Sequence, residues 1–236
     1  VTTPDALPQR SAGIRFEKIE KRYGGQYALR RVSLELAAGE CVALAGRNGS
    51  GKTTLLRIAA GLARPSSGEV HFMVNGEPSR ETPRVGFVGH ATMVYDELTA
   101  EENLRLFARL QGSTAPGALA KKLLGEVGLG ERRDALVRTF SRGMRQRVAI
   151  ARALLQEPRI LLLDEPATGL DPEGVAWLAG TLQRLRDAGC TLLMSLHGES
   201  AISRLATRAV RLDAGAVAAD TRDTAGMRGL LAFAGA

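Results

Sequence analysis

Three short runs constrain the fold more than any other feature of the chain: Cys41-Val42-Ala43-Leu44-Ala45 and Ile160-Leu161-Leu162-Leu163, apolar at every position, and Thr191 to Leu196, which reads as a third buried strand. A strand that is apolar at every position has both faces covered, and such strands belong to parallel sheets with helices on either side. The segments between the runs supply those helices. Thr54-Leu55-Leu56-Arg57-Ile58 follows the first run at helical spacing. Thr99-Ala100-Glu101-Glu102 is a capping box ahead of Leu104, Phe107 and Leu110. Met144, Val148, Ala151 and Leu155 form the apolar face of a helix capped by Ser141 and stopped by Pro158. Asp171-Pro172 sets a capping residue before a proline at the first helical position, with Val175, Leu178, Leu182 and Leu185 as the core face and Gly189 as the stop.

The predicted class is therefore α/β, a mainly parallel core sheet with an antiparallel β lobe before it and a helical lobe inserted into it. In the β lobe Ile14, Phe16, Val32, Leu34 and Leu36 alternate with polar residues, with turns at Tyr23-Gly24-Gly25 and Ala38-Gly39. The helical lobe is expected over about 91–156, helical throughout. Residues 1–13 read as a flexible lead-in, 14–221 as the folded domain and 222–236 as a tail.

Composition narrows the class without choosing a function. A chain of 236 residues fits one domain, or one domain with a small lobe, and no apolar run approaches the ~18 residues of a membrane-crossing helix. Cys41 and Cys190 sit in apolar runs, no secretory leader pattern opens the sequence, and a reducing cytoplasm is the expectation. The net charge of +7 is spread among 25 acidic residues with 4% aromatics. That pattern offers neither a basic stripe nor stacking platforms, so no nucleic-acid partner is expected.

The chemistry starts where the first buried run ends. Gly46-Arg47-Asn48-Gly49-Ser50-Gly51-Lys52-Thr53 has the spacing of a phosphate-binding loop, set between a buried strand and a helix that continues with Thr54. Its glycines let backbone amides converge on a phosphate and the helix N-terminus adds partial positive charge. Lys52 reaches the outer phosphate oxygens, and the Thr53 hydroxyl is a ligand for Mg²⁺. The second buried run delivers Asp164 to the carboxyl edge of the sheet as a further Mg²⁺ contact, and Glu165, next along, is placed to act as base toward an attacking water.

With these motifs, the chain resembles the ATP-binding cassette family, the motor ATPases of ABC transporters. Tyr23 resembles the aromatic that stacks on adenine, and Phe140-Ser141-Arg142-Gly143-Met144 sits at the family signature. Gly169-Leu170-Asp171 looks like the dimer-contact loop, and His197 looks like the switch histidine. The resemblance implies ATP and Mg²⁺ as ligands, with hydrolysis using Glu165, His197 and Lys52. It further implies a homodimer formed on ATP binding, in which Ser141 and Gly143 of one copy close on the other's phosphate loop, with Asp171 at the contact. The partner it implies is a separate integral membrane permease, with this chain peripheral on the cytoplasmic face of a bacterial inner membrane.

Two departures stand out. Arg142 and Met144 replace the usual glycine and glutamine of the signature, and His90 stands where most relatives carry a glutamine that senses Mg²⁺. Val88-Gly89-His90 with Glu97-Leu98-Thr99-Ala100-Glu101-Glu102-Asn103-Leu104 resembles the ATPase of cytochrome c maturation, the haem exporter. A general drug, lipid or polysaccharide exporter is the alternative. A soluble ribosome- or DNA-acting relative is disfavoured by the single motif set and the lack of a heptad run. Trp177 is open between packing and a partner contact.

Overall fold

A computed structural model describes residues 12–196, 198 and 200–233. The antiparallel lobe is built on β1 (Ala12–Tyr23), which pairs with β2 (Gln26–Leu36) on one side and β4 (Ser67–Val74) on the other, and β5 (Glu77–Ser79) extends β4. The second sheet has six strands. It comprises β3 (Cys41–Ala45), β6 (Val85–Val88), β7 (Ile160–Asp164), β8 (Thr191–Ser195), β9 (Arg208–Asp213) and β10 (Ala216–Thr221). Their order is β10-β9-β3-β8-β7-β6, and every pairing is parallel except β9 with β10.

The period of two divides the apolar strands between two cores. Val42, Leu44, Ile160, Leu162 and Leu193 face the antiparallel lobe and α1 (Lys52–Ala59), where they meet Ile14, Phe16, Leu55 and Leu56. Cys41, Ala43, Leu161, Leu163 and Met194 point the other way, onto α4 (Arg142–Leu154), α5 (Pro172–Asp187) and α6 (Thr224–Phe233). A third core, with Leu104, Ala108, Leu124 and Val148 at its centre, holds α2 (Ala100–Leu110) and α3 (Pro116–Glu126) against α4. Register then fixes the functional edge. Leu44 pairs with Ser195 and Ser195 with Asp164, so the ends of β3, β8 and β7 lie side by side.

Three features depart from the sequence expectations. The inserted lobe is not helical throughout. Before α2, the fully buried Asn103 side chain accepts from Tyr95 N (2.7 Å) and donates to Tyr95 O and Thr99 O (2.9 Å each). The preceding backbone pairs with a second loop instead of coiling, through Val137 N to Leu98 O and Arg138 N to Asp96 O, both 3.0 Å. The first strand also starts inside the segment read as lead-in, because Ala12 is fully buried opposite Val74. Finally, the segment read as a tail carries α6, started by Asp223, whose carboxylate accepts from Gly226 N (2.7 Å), and docked through Met227, Leu230 and Leu231. The capping box at Thr99 and the caps by Ser141 and Asp171 are present as expected. Among the described residues no helix is long and apolar enough to cross a membrane.

Candidate functional site

Between β3 and α1 the chain must turn sharply while keeping its amides free to face a ligand. Gly46 and Gly51 make this possible: both have positive φ, and a Cβ would lie 2.3 Å from Leu212 O at Gly46 and 2.6 Å from Ala28 O at Gly51. Lys52, 94% buried, turns back over the loop and donates to Gly46 O (2.6 Å) and Arg47 O (3.1 Å). Burial pushes its ammonium below the usual lysine range, opposed by the nearby Glu165 and Asp164 carboxylates. Tyr23, Asn48, Gly49, Ser50, Gly51, Lys52, Thr53, Thr54 and Glu165 line one cavity of about 280 Å³. Tyr23 is half exposed at its rim, at the end of β1. The buried Ser50 hydroxyl has no hydrogen-bond partner among the described residues. A cradle of close-packed glycines, an inward lysine and an orphaned hydroxyl fits a phosphorylated ligand.

The acidic strand end meets this loop. Asp164, 2% exposed, accepts from the Thr53 hydroxyl at Oδ2 (2.8 Å) and from the Ser195 hydroxyl at Oδ1 (2.7 Å). Ser195 Oγ in turn accepts from Glu165 N (2.9 Å). Glu165 itself has a left-handed backbone, φ 51°, which breaks the strand and turns its half-buried side chain to the cavity; Thr168 Oγ1 donates to its Oε2 at 3.4 Å. A hydroxyl and a carboxylate on adjacent elements are hard oxygen donors, the set that suits Mg²⁺.

The other expected site residues lie elsewhere in the chain. Ser141, Gly143 and Asp171 line a separate cavity of about 370 Å³. There Ser141 Oγ accepts from Met144 N (3.2 Å), and Asp171 Oδ1 accepts from Gly174 N (2.9 Å) and lies 3.7 Å from the Arg147 guanidinium. A Cβ on Gly143 would meet Gly169 O at 2.8 Å, so its glycine is needed where the two loops touch. His90 is not brought to Thr53 and Asp164. The chain bends away after β6, leaving its imidazole exposed in a third cavity, of about 440 Å³, with Arg142, Gln146 and Glu165. Among the described residues no cluster of three His, Cys, Asp or Glu could hold a metal. His197 lies outside the described residues.

Sequence reasoning missed Ser195, the hydroxyl that joins Asp164 to the Glu165 backbone; a serine ending an apolar strand carries no distinguishing signal. It also missed Arg147, which donates to Val127 O (3.2 Å) and lies over the Trp177 ring. Trp177 Nε1 donates to Glu126 O (2.9 Å), so it serves as packing between the helical lobe and the core. Burial raises both Cys41 and Cys190 to about 12, as expected of inert core thiols.

A family model described as ABC transporter matches residues 29–168. Nod factor export ATP-binding protein I of Burkholderia orbicola (strain AU 1054) is 37% identical over 209 residues, which cover 86% of this chain and 69% of that protein. Daunorubicin resistance ATP-binding protein DrrA3 of Streptomyces coeruleorubidus is 37% identical over 88% of this chain and 67% of its own length. Among solved structures, the dimeric post-hydrolysis state of the ATP-binding cassette MJ0796, bound to ADP and Pi, superposes with a TM-score of 0.80 at 28% identity, covering 89% of this chain and 98% of that one. With its phosphate loop, acidic strand and helical lobe in the arrangement those relatives share, the chain belongs to the ABC transporter family.

Proposed function

We propose that the chain is the ATP-hydrolysing subunit of a bacterial exporter, working as a homodimer beneath a separate membrane permease at the cytoplasmic face of the inner membrane. It is an ATPase of the ABC family, and the observation that carries the site assignment is the continuous link from Thr53 through Asp164 and Ser195 to Glu165 on the wall of the phosphate-loop cavity. The loop from Gly46 to Thr54 and Tyr23 would hold ATP by its phosphates and its base. Lys52, released from the Gly46 and Arg47 carbonyls, would turn its ammonium to the outer phosphates. Thr53 and Asp164 are the residues that would hold Mg²⁺, which when bound neutralises phosphate charge. Glu165 accepts the proton of the water that attacks the terminal phosphorus, and His197 is proposed to assist; the bond to the bridging oxygen breaks and ADP and phosphate leave.

Ser141 and Gly143 line a cavity that shares no residue with the phosphate-loop cavity. Closure by a second copy, with Asp171 at the contact, gives them a role, and the dimeric MJ0796 cassette supports that reading. The exposed Met93, Tyr95 and Leu110 are proposed to meet the permease. The relatives named for Nod factor export and daunorubicin resistance favour a drug, lipid or polysaccharide class of cargo. The narrower likeness to cytochrome c maturation gives way to that reading, since these relatives carry other names.

Glu165→Gln tests the assignment. ATP binding and ATP-driven dimerisation should persist while turnover drops about 10²–10⁴-fold. Turnover equal to wild type would remove Glu165 as the base.

A further inference from the structure

Two of the three residues that depart from the family pattern, His90 and Arg142, are far apart in sequence but line the same cavity, with Arg145, Gln146, Thr168 and Glu165. Glu165 is also, among the described residues, the one residue shared with the phosphate-loop cavity. The carboxylate proposed as base is therefore the wall between two chambers. The chamber behind it is cationic: Arg142 and His90 have no hydrogen bond or ion pair among the described residues, whereas Arg145 is held by the carbonyls of Val137 (3.3 Å) and Arg138 (3.0 Å). Arg142 is also the first residue of α4, with no acidic residue in that turn. Exposed Arg142 at a helix N-terminus works against the helix dipole, and an anion beside it would offset that repulsion. Its stem is aimed by the neighbouring loop: Gly169 has φ 84°, and a Cβ there would lie 2.8 Å from Arg142 Cγ and Cδ, so only glycine leaves room for it.

We propose that this second chamber is a transient site for inorganic phosphate, taking the product as it leaves past Glu165. The inference rests on the proposed hydrolysis at the phosphate loop. Arg142 supplies a forked set of charged donors, and His90 a ring N–H. Thr168 and Gln146 add a hydroxyl and an amide. No bond is made or broken in the chamber; the anion is held by hydrogen bonds and charge.

The test titrates the full chain, saturated with ADP and Mg²⁺ so that the phosphate loop is filled, with inorganic phosphate, followed by ³¹P line broadening or calorimetry. The wild type should bind one phosphate without losing ADP. Arg142→Gly should weaken phosphate binding about tenfold, and adding His90→Gln should weaken it about threefold more. Arg142→Lys, which keeps a charge and a good helix residue, should recover part of the loss. Phosphate that displaces ADP, ADP-loaded protein that binds no phosphate, or variants that bind it like wild type would each overturn the second site. Failure to bind ADP at all would instead count against the proposed function, so the two are told apart in one experiment.

Discussion

The two halves of the nucleotide machinery are built to different standards of closure. In the phosphate-loop half, polar groups answer one another within the chain: Lys52 to two carbonyls, Thr53 to Asp164, Asp164 to Ser195, Ser195 to the Glu165 backbone. In the signature half, Ser141, Arg142 and Asp171 are exposed, and their hydrogen bonds go no further than capping their own helices. Departures from the family pattern follow the same division. The loop from Gly46 to Thr53 keeps its spacing intact, while Arg142 and Met144 sit in the signature and His90 borders the chamber beside it. A half in which most polar groups, the Ser50 hydroxyl excepted, answer one another leaves little room for substitution, whereas a half open to something outside the chain can change with what it meets.

The sharpest way to break this comparison is Ser195→Ala. Ser195 is fully buried, and without its hydroxyl Asp164 Oδ1 loses its 2.7 Å donor in a place water does not reach. The loss should cost about 2–3 kcal/mol in stability, read from the denaturant midpoint, and lower ATP turnover at least about tenfold. Glu165 N retains the Ser195 carbonyl at 3.3 Å, so the backbone turn at Glu165 should survive. A variant as stable and active as wild type would mean the first half is not closed in the sense described.

The same contrast explains what was legible in the sequence. Gly46 to Thr53 could be read because a backbone turning around phosphate dictates residue type and spacing together, and Thr99, Ser141 and Asp171 because caps are local chemistry. Ser195 could not, because its partner lies on a neighbouring strand and only the pairing of β7 with β8 brings them together. The surroundings of His90 were illegible for a related reason: alignment gives a place along the chain, while the fold after Val88 decides which cavity the residue lines. α6 was missed because a ten-residue run with two interior glycines, Thr224–Phe233, reads as a tail until the face carrying Met227, Leu230 and Leu231 has a core to cover.

A smaller effect sharpens the comparison from the other side. Ser141→Ala removes the cap on Met144 N and should destabilise the chain by about 1 kcal/mol. Because Ser141 stands in its own cavity, ADP affinity should stay within about twofold of wild type while ATP-driven self-association weakens about tenfold. Calorimetry for ADP and sedimentation for the dimer separate the two. Loss of ADP affinity in step with self-association would mean that the halves are coupled within a single chain.

The smallest effect is expected at the seam that carries the open half. Arg147 reaches toward Asp171 (3.7 Å), donates to Val127 O and covers the Trp177 ring, and Trp177 donates to Glu126 O. Trp177→Phe keeps an aromatic face for Arg147 but drops the indole N–H, leaving Glu126 O at the end of α3 without that donor. The carbonyl lies near the surface, where water replaces the bond at little loss, so about 1 kcal/mol of stability should go and ATP turnover should change less than about twofold. A turnover loss as large as that of Ser195→Ala would show that the seam positions the signature half during the cycle, and the second half would then be as tightly specified as the first.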